Sequence, residues 1–530
     1  MHYTITKTDL YGLNFTDKFK NIVVNERDID FFSPPGKEHY QLLSYISTLF
    51  HNCNIIDIGT HLGHSALALS YNITNVIYSF DIVDKVRDNI KNISNIKFMN
   101  DNLFDENIFN QWKDIILNCP FIFLDVDPHN GTMETCFINL LEKNKYMGFV
   151  ICDDIWYFKE MRDNFWHKIN DMFRYDLTLL GHWSGTGIIT FNNVITFDKP
   201  DLSNWTLVTA YFDLTKCLDA SFEIKSRDKN YYFKHSIATL SQPYNMIIYC
   251  DTESADLIKN IRPKYLENNT KYIIKDFHQF TLENRSVDYY KEQITLNRLQ
   301  KPYNFDNRNT ASYYMFCMSR YIMLKETIET NPFNSTHFAW INFCIERMGF
   351  TNLIHLPEAL AVNRNKFSTC YIDYISEDLI NNTAEYFKWG RCSMCSGFFT
   401  GNKEYMYKVC NLIINKFLEY LKQGYGHADE QLYGPVYFEN PNLFEHYYGD
   451  YMQMITNYKY IHEAPDAPLH NIIRNSFNCS NHHECFKACE FVFNSWALNK
   501  CQLSNNSVNQ LAYYYLYCKK ALCTDHNSLN

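Results

Sequence analysis

Short apolar runs that end in an acidic residue are the feature of this sequence that most restricts its fold. In the first third of the chain they alternate with stretches of helical periodicity, which is typical of a doubly wound, mostly parallel sheet. Runs that are apolar throughout indicate strands buried on both faces. We predict a helix at 37–50, followed by strands at 54–59, 76–81, 96–100, 121–125, 148–154 and 187–191.

A chain of 530 residues is too long for a single core. Residues 196–204 are polar and lack periodicity, so they are interpreted as a linker. A second α/β series follows, and after about residue 465 the pattern is helical only. The predicted organisation is a Rossmann-like doubly wound domain at 1–195, a second α/β domain at 205–465 and a helical C-terminal extension at 466–530.

The net charge of −10 comes without any run of Lys and Arg, which makes nucleic acid an unlikely partner. No apolar segment approaches the roughly 20 residues of a membrane span, and the first residues lack a signal peptide pattern. We therefore expect a cytoplasmic protein. Tyr and Phe number 40 each against 17 Gly and 14 Pro, a bias typical of AT-rich genomes, such as those of large DNA viruses and of some parasites or bacteria. A viral protein would lie in the host cytoplasm or the virion.

Eighteen cysteines are scattered along the chain. One CxxC pair, Cys392 and Cys395, has no second pair at zinc-site spacing. The better metal candidate is a group near the C-terminus. Buried reduced thiols are still the favoured interpretation of all these cysteines. The C-terminal group comprises Cys479, His482, His483, Cys485 and Cys489.

The turn DIGTHLGHS follows the first predicted strand and indicates a nucleoside pocket. Its glycines allow a sharp turn and a close backbone approach to a ligand. An acid at the end of the next strand, Asp81, is suited to accept both hydroxyls of a ribose. Asp101 and Asn102, after the third strand, are suited to an adenine rim. The predicted cofactor residues are Asp57, Gly59, Thr60, His61, Gly63, Ser65, Asp81, Asp101 and Asn102.

Three further carboxylates, Asp125, Asp153 and Asp154, end the fourth and fifth predicted strands. Hard carboxylate oxygens at one sheet edge suit Mg²⁺ or a similar ion. The alternative is that these acids merely cap the helices that follow.

With these residues in order, the segment 33–192 resembles class I S-adenosylmethionine-dependent methyltransferases, and among them the metal-dependent catechol O-methyltransferase type. The stretches LDVDPHNG and GHWSGTG resemble sugar O-methyltransferases and cephalosporin-hydroxylase-like relatives more closely. The resemblance implies S-adenosylmethionine as cofactor and a divalent metal, with Mg²⁺ expected, held by Asp125, Asp153 and Asp154.

The base of the catechol-type enzymes is a Lys, and its position is Pro128 here. His129 is the nearest replacement and Asp127 is another, and metal activation alone is a third alternative. His182 and Trp183 are expected to shape the pocket wall or the core.

Residues 205 to about 460 resemble the WlaTC/HtrL-like proteins, which look like glycosyltransferases of the GT-A type. The matching stretches are TLVTAYFD, MIIYCD, NPFNSTHFAWIN and the run from HADEQLYGPVY to YYGDY. The resemblance implies a nucleotide sugar as donor. Where the family tends to carry a metal-binding Asp, this chain has Asn342. Asp251 and Glu253 are candidates for the nucleotide sugar, and Asp429 and Glu430 for orienting or deprotonating an acceptor hydroxyl, with helix capping as the alternative.

Together these features indicate a bifunctional glycan-modifying enzyme, in which one domain methylates a sugar hydroxyl and the other transfers or holds a glycan. Its partners would be a sugar or oligosaccharide and a nucleotide sugar, and self-association into a homo-oligomer stays open. Two alternatives remain: an RNA-cap methyltransferase, and a methyltransferase whose second domain only binds glycan.

Overall fold

The computed structural model describes residues 1–23, 31–33, 36–182, 184–192, 194–198, 204–301, 306–348, 350–388, 390–426, 428–462 and 465–527. Trp183 and part of the predicted linker therefore lie outside the described residues. The chain divides into two compact units, Met1–Pro200 and Asp201–Asn530.

Strands and helices alternate in both units. In the first unit the described strands β1–β9 are His2–Tyr3, Asn54–Ile58, Val76–Phe80, Ile96–Met99, Phe121–Leu124, Phe149–Asp153, Arg174–Asp176, Thr186–Thr190 and Thr196–Phe197. Its helices α1–α8 are Lys7–Tyr11, Phe15–Phe19, Gly36–Thr48, His64–Leu69, Asp88–Lys91, Glu106–Asn118, Thr132–Lys143 and Lys159–Asn164.

Seven of these strands form a sheet of order β4-β3-β2-β5-β6-β8-β7. The first five are parallel to one another, and β8 is antiparallel to both β6 and β7. Phe121 and Phe123 of β5 share a core cluster with α3 and α4, and the alternating Ile122 and Leu124 are buried as well. The sheet is thus covered on both faces, which explains why its strands lack a polar alternation.

The second unit has the larger core. Its described strands β10–β18 are Trp205–Tyr211, Asn245–Cys250, Thr270–Ile274, Thr281–Leu282, Arg285–Ser286, His337–Ile341, Ser368–Tyr371, Met394–Asn402 and Tyr447–Tyr448. Its helices α9–α21 are Phe222–Lys225, Lys229–Leu240, Ala255–Ile261, Val287–Gln300, Ala311–Thr330, Leu356–Leu360, Glu377–Asn381, Thr383–Lys388, Lys403–Lys422, Glu430–Glu439, Arg474–Asn478, His482–Ala497 and Asn505–Asn527.

The main sheet of this unit has the order β12-β11-β10-β15-β17-β16-β18. Strands β12, β11, β10 and β15 are parallel, and β17 runs antiparallel between β15 and β16. Beyond residue 465 the secondary structure is helical, and these helices share the core of the second unit. Cys485, Cys489 and Val492 of α20 belong to the same buried cluster as Val208 of β10 and Phe399 of β17.

The 18 cysteines are all free. Among the described residues, the C-terminal group of cysteines and histidines does not form a metal-ligand set, and Cys485 and Cys489 lie in the apolar core. Of the helices that the structure describes, none is long and apolar enough to cross a membrane.

Glu484 joins helix α20 to the second sheet. Its buried carboxylate accepts hydrogen bonds from Tyr437 Oη at 2.9 Å, Tyr448 Oη at 2.7 Å and His446 Nε2 at 2.9 Å. Burial acts to raise the pKa of Glu484, but His446 and these hydrogen bonds together lower it from 4.5 to about 2. The ionised form is therefore the one that the fold stabilises.

Glu484→Gln is expected to destabilise the second unit by about 3 kcal/mol, because the neutral amide cannot reproduce the three hydrogen bonds that the buried carboxylate accepts. Since the folded-state pKa lies below the unfolded one, the contribution is present above pH 4.5 and is lost as the pH falls towards about 2. Denaturant unfolding at pH 7 and at successively lower pH measures the difference. Glu490→Gln, an exposed position on the same helix, is the control, and an equal effect of both variants would contradict this assignment.

Candidate functional site

The order of the first sheet reverses between β2 and β5, and ligands of open α/β sheets bind at the carboxyl ends of strands beside such a switch point. Asp125 N–H donates to the Ile58 carbonyl at 2.9 Å there. Gly59 has φ +95°, and a Cβ on it would lie 1.6 Å from the Asp125 carbonyl oxygen. Gly59 is thus required by the close packing of two backbones, and the acids after β2–β6 collect at one edge.

Asp57 is fully buried at the end of β2. Its carboxylate accepts a hydrogen bond from the Ser79 hydroxyl, which also lies 2.6 Å from the Thr60 hydroxyl. Burial raises the pKa of Asp57 to about 6, against the lowering effect of its bonds with Ser79 and Ser65. This network fixes the turn after β2 from inside.

Asp81 holds the same turn from the outside. Its carboxylate accepts the backbone N–H of His61 at 2.8 Å and that of Val83 at 3.0 Å. Gly63 has φ +91°, and a Cβ there would meet Val86 and Ile90. The predicted cofactor residues of this loop are therefore brought together, but Gly63 faces helix α5 and not an open ligand space.

Asp101 and Asn102 lie in the turn after β4. The Asp101 carboxylate accepts the indole N–H of Trp112 at 2.8 Å, and the Asn102 side-chain oxygen accepts the backbone N–H of Phe104 at 3.1 Å. Both predicted adenine contacts thus also have local structural roles.

The three predicted metal ligands do not converge as one set. Asp125, Asp154 and His129 form one group, whose possible ligand atoms all lie within 4.8 Å of one another. Asp153 belongs to a second group of the same kind, with His39 and His182. Asp153 is the last residue of β6, whereas Asp154 lies beyond the strand with a φ of +56°, and this change of backbone direction accompanies the separation of their side chains.

His129 lies among three carboxylates. Its Nδ1 is 3.9 Å from Asp125 and 3.7 Å from Asp154, and its Nε2 is 3.4 Å from the exposed Asp127. The ring stacks on Phe158, with centroids 4.9 Å apart and planes within 5°. Stacking fixes the orientation of the ring among these acids.

His39, on α3, and His182, after β7, flank Asp153. The His182 Nε2 is 3.2 Å and the His39 Nδ1 3.7 Å from the Asp153 carboxylate. Residues distant in sequence supply these contacts. His182 is therefore a partner of an acid, whereas the sequence indicated only a pocket wall or the core, and His39 was not predicted. His39 could be noticed in the sequence as a histidine on the apolar helix predicted at 37–50, but residue spacing alone does not connect it to Asp153.

The surroundings shift the pKa values of the aspartates in opposite directions in the two groups. Burial and the adjacent Asp153 and Asp154 raise the pKa of Asp125 well above its ordinary value, and burial and Asp153 also raise that of Asp154. Burial opposes ionisation of Asp153 as well, but His39 and His182 lower its pKa. Asp125 and Asp154 thus form an electrostatically unfavourable pair that a proton or a cation would relieve, and their oxygens fit a divalent ion.

The second unit has a cleft of about 750 Å³ at the carboxyl end of β15. Asn342 follows this strand, and its side-chain oxygen accepts the indole N–H of Trp340 at 3.0 Å. Arg308 and Arg347 line both the cleft and an adjoining recess, which also contains Arg227. Asp251 and Glu253 are not among the described lining residues. Asp251 instead accepts backbone N–H groups of Asp213 and Ser254, and Glu253 pairs with Lys216.

The acids of HADEQ lie on the cleft wall. Asp429 is buried and accepts from Arg320 at 2.9 Å and Tyr321 at 3.2 Å. Glu430 accepts from Ser396 and from Tyr451 Oη, and burial together with Asp429 raises its pKa. Since Asp429 is committed to an ion pair, Glu430 is the better proton acceptor of the two.

A family model described as a bacterial protein of unknown function (HtrL_YibB) matches residues 203–459. No curated protein matches the chain.

Among solved structures, the chain resembles Podospora anserina methyltransferase PaMTH1 bound to SAH, with 15% identity, TM-score 0.21, and coverage of 27% of this chain and 62% of that one. It also resembles the MycE methyltransferase of the mycinamycin pathway in complex with Mg and SAH, with 11% identity, TM-score 0.19, and coverage of 27% of this chain and 38% of that one. Mouse xyloside xylosyltransferase 1 matches at 11% identity and TM-score 0.27, over 46% of this chain and 84% of that one. At these values the likenesses assign no activity, and the chain spans under two thirds of both methyltransferases.

Gly59→Ala is expected to destabilise the first unit by about 3 kcal/mol or more, because a Cβ would combine a positive φ with a backbone collision. Thermal unfolding of the full chain, followed by a probe in this unit, measures the loss. Gly12→Ala is the control, since Gly12 has φ −70° and a Cβ there would come no closer than 3.3 Å to the backbone oxygens of its own turn. Similar stability of the two variants would overturn the packing role of Gly59.

Proposed function

We propose that the first unit is an S-adenosylmethionine-dependent O-methyltransferase that modifies a sugar hydroxyl. The observation that carries the proposal is the arrangement around the switch point. A turn held by Asp57 and Asp81 lies on one side, and the Asp125–His129–Asp154 group lies on the other. Ligand binding at this position is the general behaviour of such sheets.

In this proposal Asp81 receives the ribose and Asp101 and Asn102 border the adenine. S-adenosylmethionine supplies the methyl group, which moves from its sulfonium sulfur to the substrate oxygen. His129 takes the hydroxyl proton, in the role that Pro128 cannot fill. The His129 Nδ1 lies 3.9 Å from Asp125 and 3.7 Å from Asp154. This closeness supports the role, because two carboxylates stabilise the imidazolium that forms.

Asp125 and Asp154 would hold a divalent cation, for which we propose Mg²⁺. Such an ion supplies Lewis acidity that lowers the pKa of a bound hydroxyl. Asp153 serves differently here. Its pairing with His39 and His182 compensates a buried charge beside the site and positions Asp154 through the backbone.

The second unit binds a nucleotide sugar in the cleft after β15 and transfers or retains the sugar there. Arg308 pairs with Asp306 and Arg320 with Asp429, whereas Arg227 and Arg347 form no ion pair with a carboxylate in the described part of the chain. The Nε of Arg347 is buried without a hydrogen-bond partner. Guanidinium groups suit a diphosphate, so Arg227 and Arg347, with Arg308 beside them, supply the positive charge that a metal ion held by an Asp at position 342 would bring.

Variants that separate cofactor binding from methyl transfer test the function proposed for the first unit. Asp81→Ala is expected to weaken S-adenosylhomocysteine binding at least tenfold, because it removes the ribose acceptor and frees the turn. Asp125→Asn should bind this product within about threefold of the parent yet lose methyl transfer. Calorimetric titration and product release measure the two properties, with the exposed Asp114→Asn as control. Equal binding by Asp81→Ala and the parent would contradict the assigned pocket.

Substitution of an arginine tests whether the second unit binds a diphosphate as proposed. Arg347→Ala is expected to weaken binding of a nucleoside diphosphate at least tenfold, and a chelator should leave the parent affinity unchanged. Titration of uridine and guanosine diphosphates into the full chain measures both, and Arg285→Ala, an exposed arginine of this unit, is the control. Chelator-sensitive binding, or full affinity in Arg347→Ala, would rule out arginines as the diphosphate ligands.

A further inference from the structure

His355, Glu358 and His462 converge away from the cleft-lining residues of the second unit. Glu358 lies on α14, His355 directly precedes this helix, and His462 lies in the segment that follows β18. The His355 Nδ1 is 3.7 Å and the His462 Nε2 is 3.9 Å from the same carboxylate oxygen, Oε2. All three possible ligand atoms lie within 4.8 Å of one another.

These distances are too long for hydrogen bonds, which join nitrogen and oxygen at roughly 2.7–3.2 Å. They are close to what a shared ion requires. Ligands at about 2.0–2.2 Å from a tetrahedral Zn²⁺ lie roughly 3.4 Å apart, so the two histidine–glutamate distances would need to shorten by only a few tenths of an ångström, while the two histidine nitrogens already lie within 4.8 Å of each other. The Nδ1 of His355 is buried and has no hydrogen-bond partner.

The surroundings of the group fit a ligating carboxylate. The other oxygen of Glu358, Oε1, lies 3.7 Å from Lys459 Nζ, an outer contact of the kind that orients metal ligands. Lys459 is partly exposed, so its ammonium does not need to occupy the space between the histidines. The two imidazole rings are 4.3 Å apart and tilted by 39°, which places both beside the same oxygen.

We propose that His355, Glu358 and His462 bind one Zn²⁺ ion, with water in the fourth position. Two histidines and one glutamate form a known zinc donor set. The ion ties α14 to the segment that ends at His462. Within this segment, Tyr451 and Met454 line the cleft and Tyr458 hydrogen-bonds to Thr400 of β17, so the ion stabilises one wall of the cleft without contacting a ligand in it.

The test compares the full-length parent with Glu358→Gln, His355→Cys and His470→Ala, an exposed histidine of the same unit. Each protein is stripped with a chelator, titrated with Zn²⁺ alone, dialysed and analysed for metal by mass spectrometry. Because the two ligand groups of the first unit could also take Zn²⁺, the readout is the difference in equivalents between variant and parent. Circular dichroism confirms that each variant is folded.

The parent and His470→Ala are expected to retain one equivalent more than Glu358→Gln, and Zn²⁺ should raise the thermal midpoint of the second unit only in proteins that retain this equivalent. His355→Cys should keep the ion, and its Co²⁺ form should show a thiolate charge-transfer band that the parent lacks. Equal stoichiometry in the parent and Glu358→Gln, or absence of the thiolate band from folded His355→Cys, would overturn the proposal.

Discussion

Repulsion among neighbouring carboxylates at the ends of β5 and β6 is the constraint on which the first unit depends. Asp153 is buried, whereas Asp125 and Asp154 are partly exposed, at one edge of a sheet that is covered on both faces. The fold separates them into two groups, and histidines lie beside the acids of each. The His39–Asp153–His182 group holds its acid ionised, whereas the Asp125–His129–Asp154 group retains a charge imbalance. The proposed function accordingly assigns chemistry to the second of these groups and support to the first.

In the second unit, arginines are the notable charged side chains around the candidate site. The cleft after β15 has an amide, Asn342, at the strand end, and both guanidinium groups and the acids Asp306, Asp429 and Glu430 line its walls. Arg320 is neutralised by Asp429 at 2.9 Å, so the remaining positive charge faces the recess from Arg227 and Arg347. In the proposed function an anionic ligand complements the arginines of the recess, which links these arginines and the amide at position 342 in one explanation.

Much of the fold was predictable because its central strands are apolar on both faces. The strands predicted at 54–59, 76–81 and 121–125 correspond to β2, β3 and β5. The sequence did not reveal β7, β16 and β18, since these strands have only two to four residues and lie at or next to a sheet edge, where tertiary contacts outweigh local pattern.

The candidate site was predictable to a similar extent. Parallel strands bring their carboxyl ends to one edge, so the acids after β2, β3, β5 and β6 could be grouped from their positions alone. The pairs of acids that face each other could not be predicted. Their pairing depends on the side-chain directions at Asp153 and Asp154 and on the partners His39 and His182, which are distant in sequence. The arginines of the second unit were missed for the same reason, since Arg227, Arg308 and Arg347 come from separate loops and share no sequence pattern.

Methyl transfer to a panel of acceptors is the decisive experiment for the proposed function of the first unit. The purified full-length chain would be incubated with S-adenosylmethionine and nucleotide sugars, simple glycosides, longer oligosaccharides or capped RNA, with and without a chelator, and release of S-adenosylhomocysteine would be measured. We predict turnover on a sugar acceptor that the chelator abolishes. Turnover on capped RNA alone, or absence of any binding of S-adenosylmethionine, would contradict the proposal.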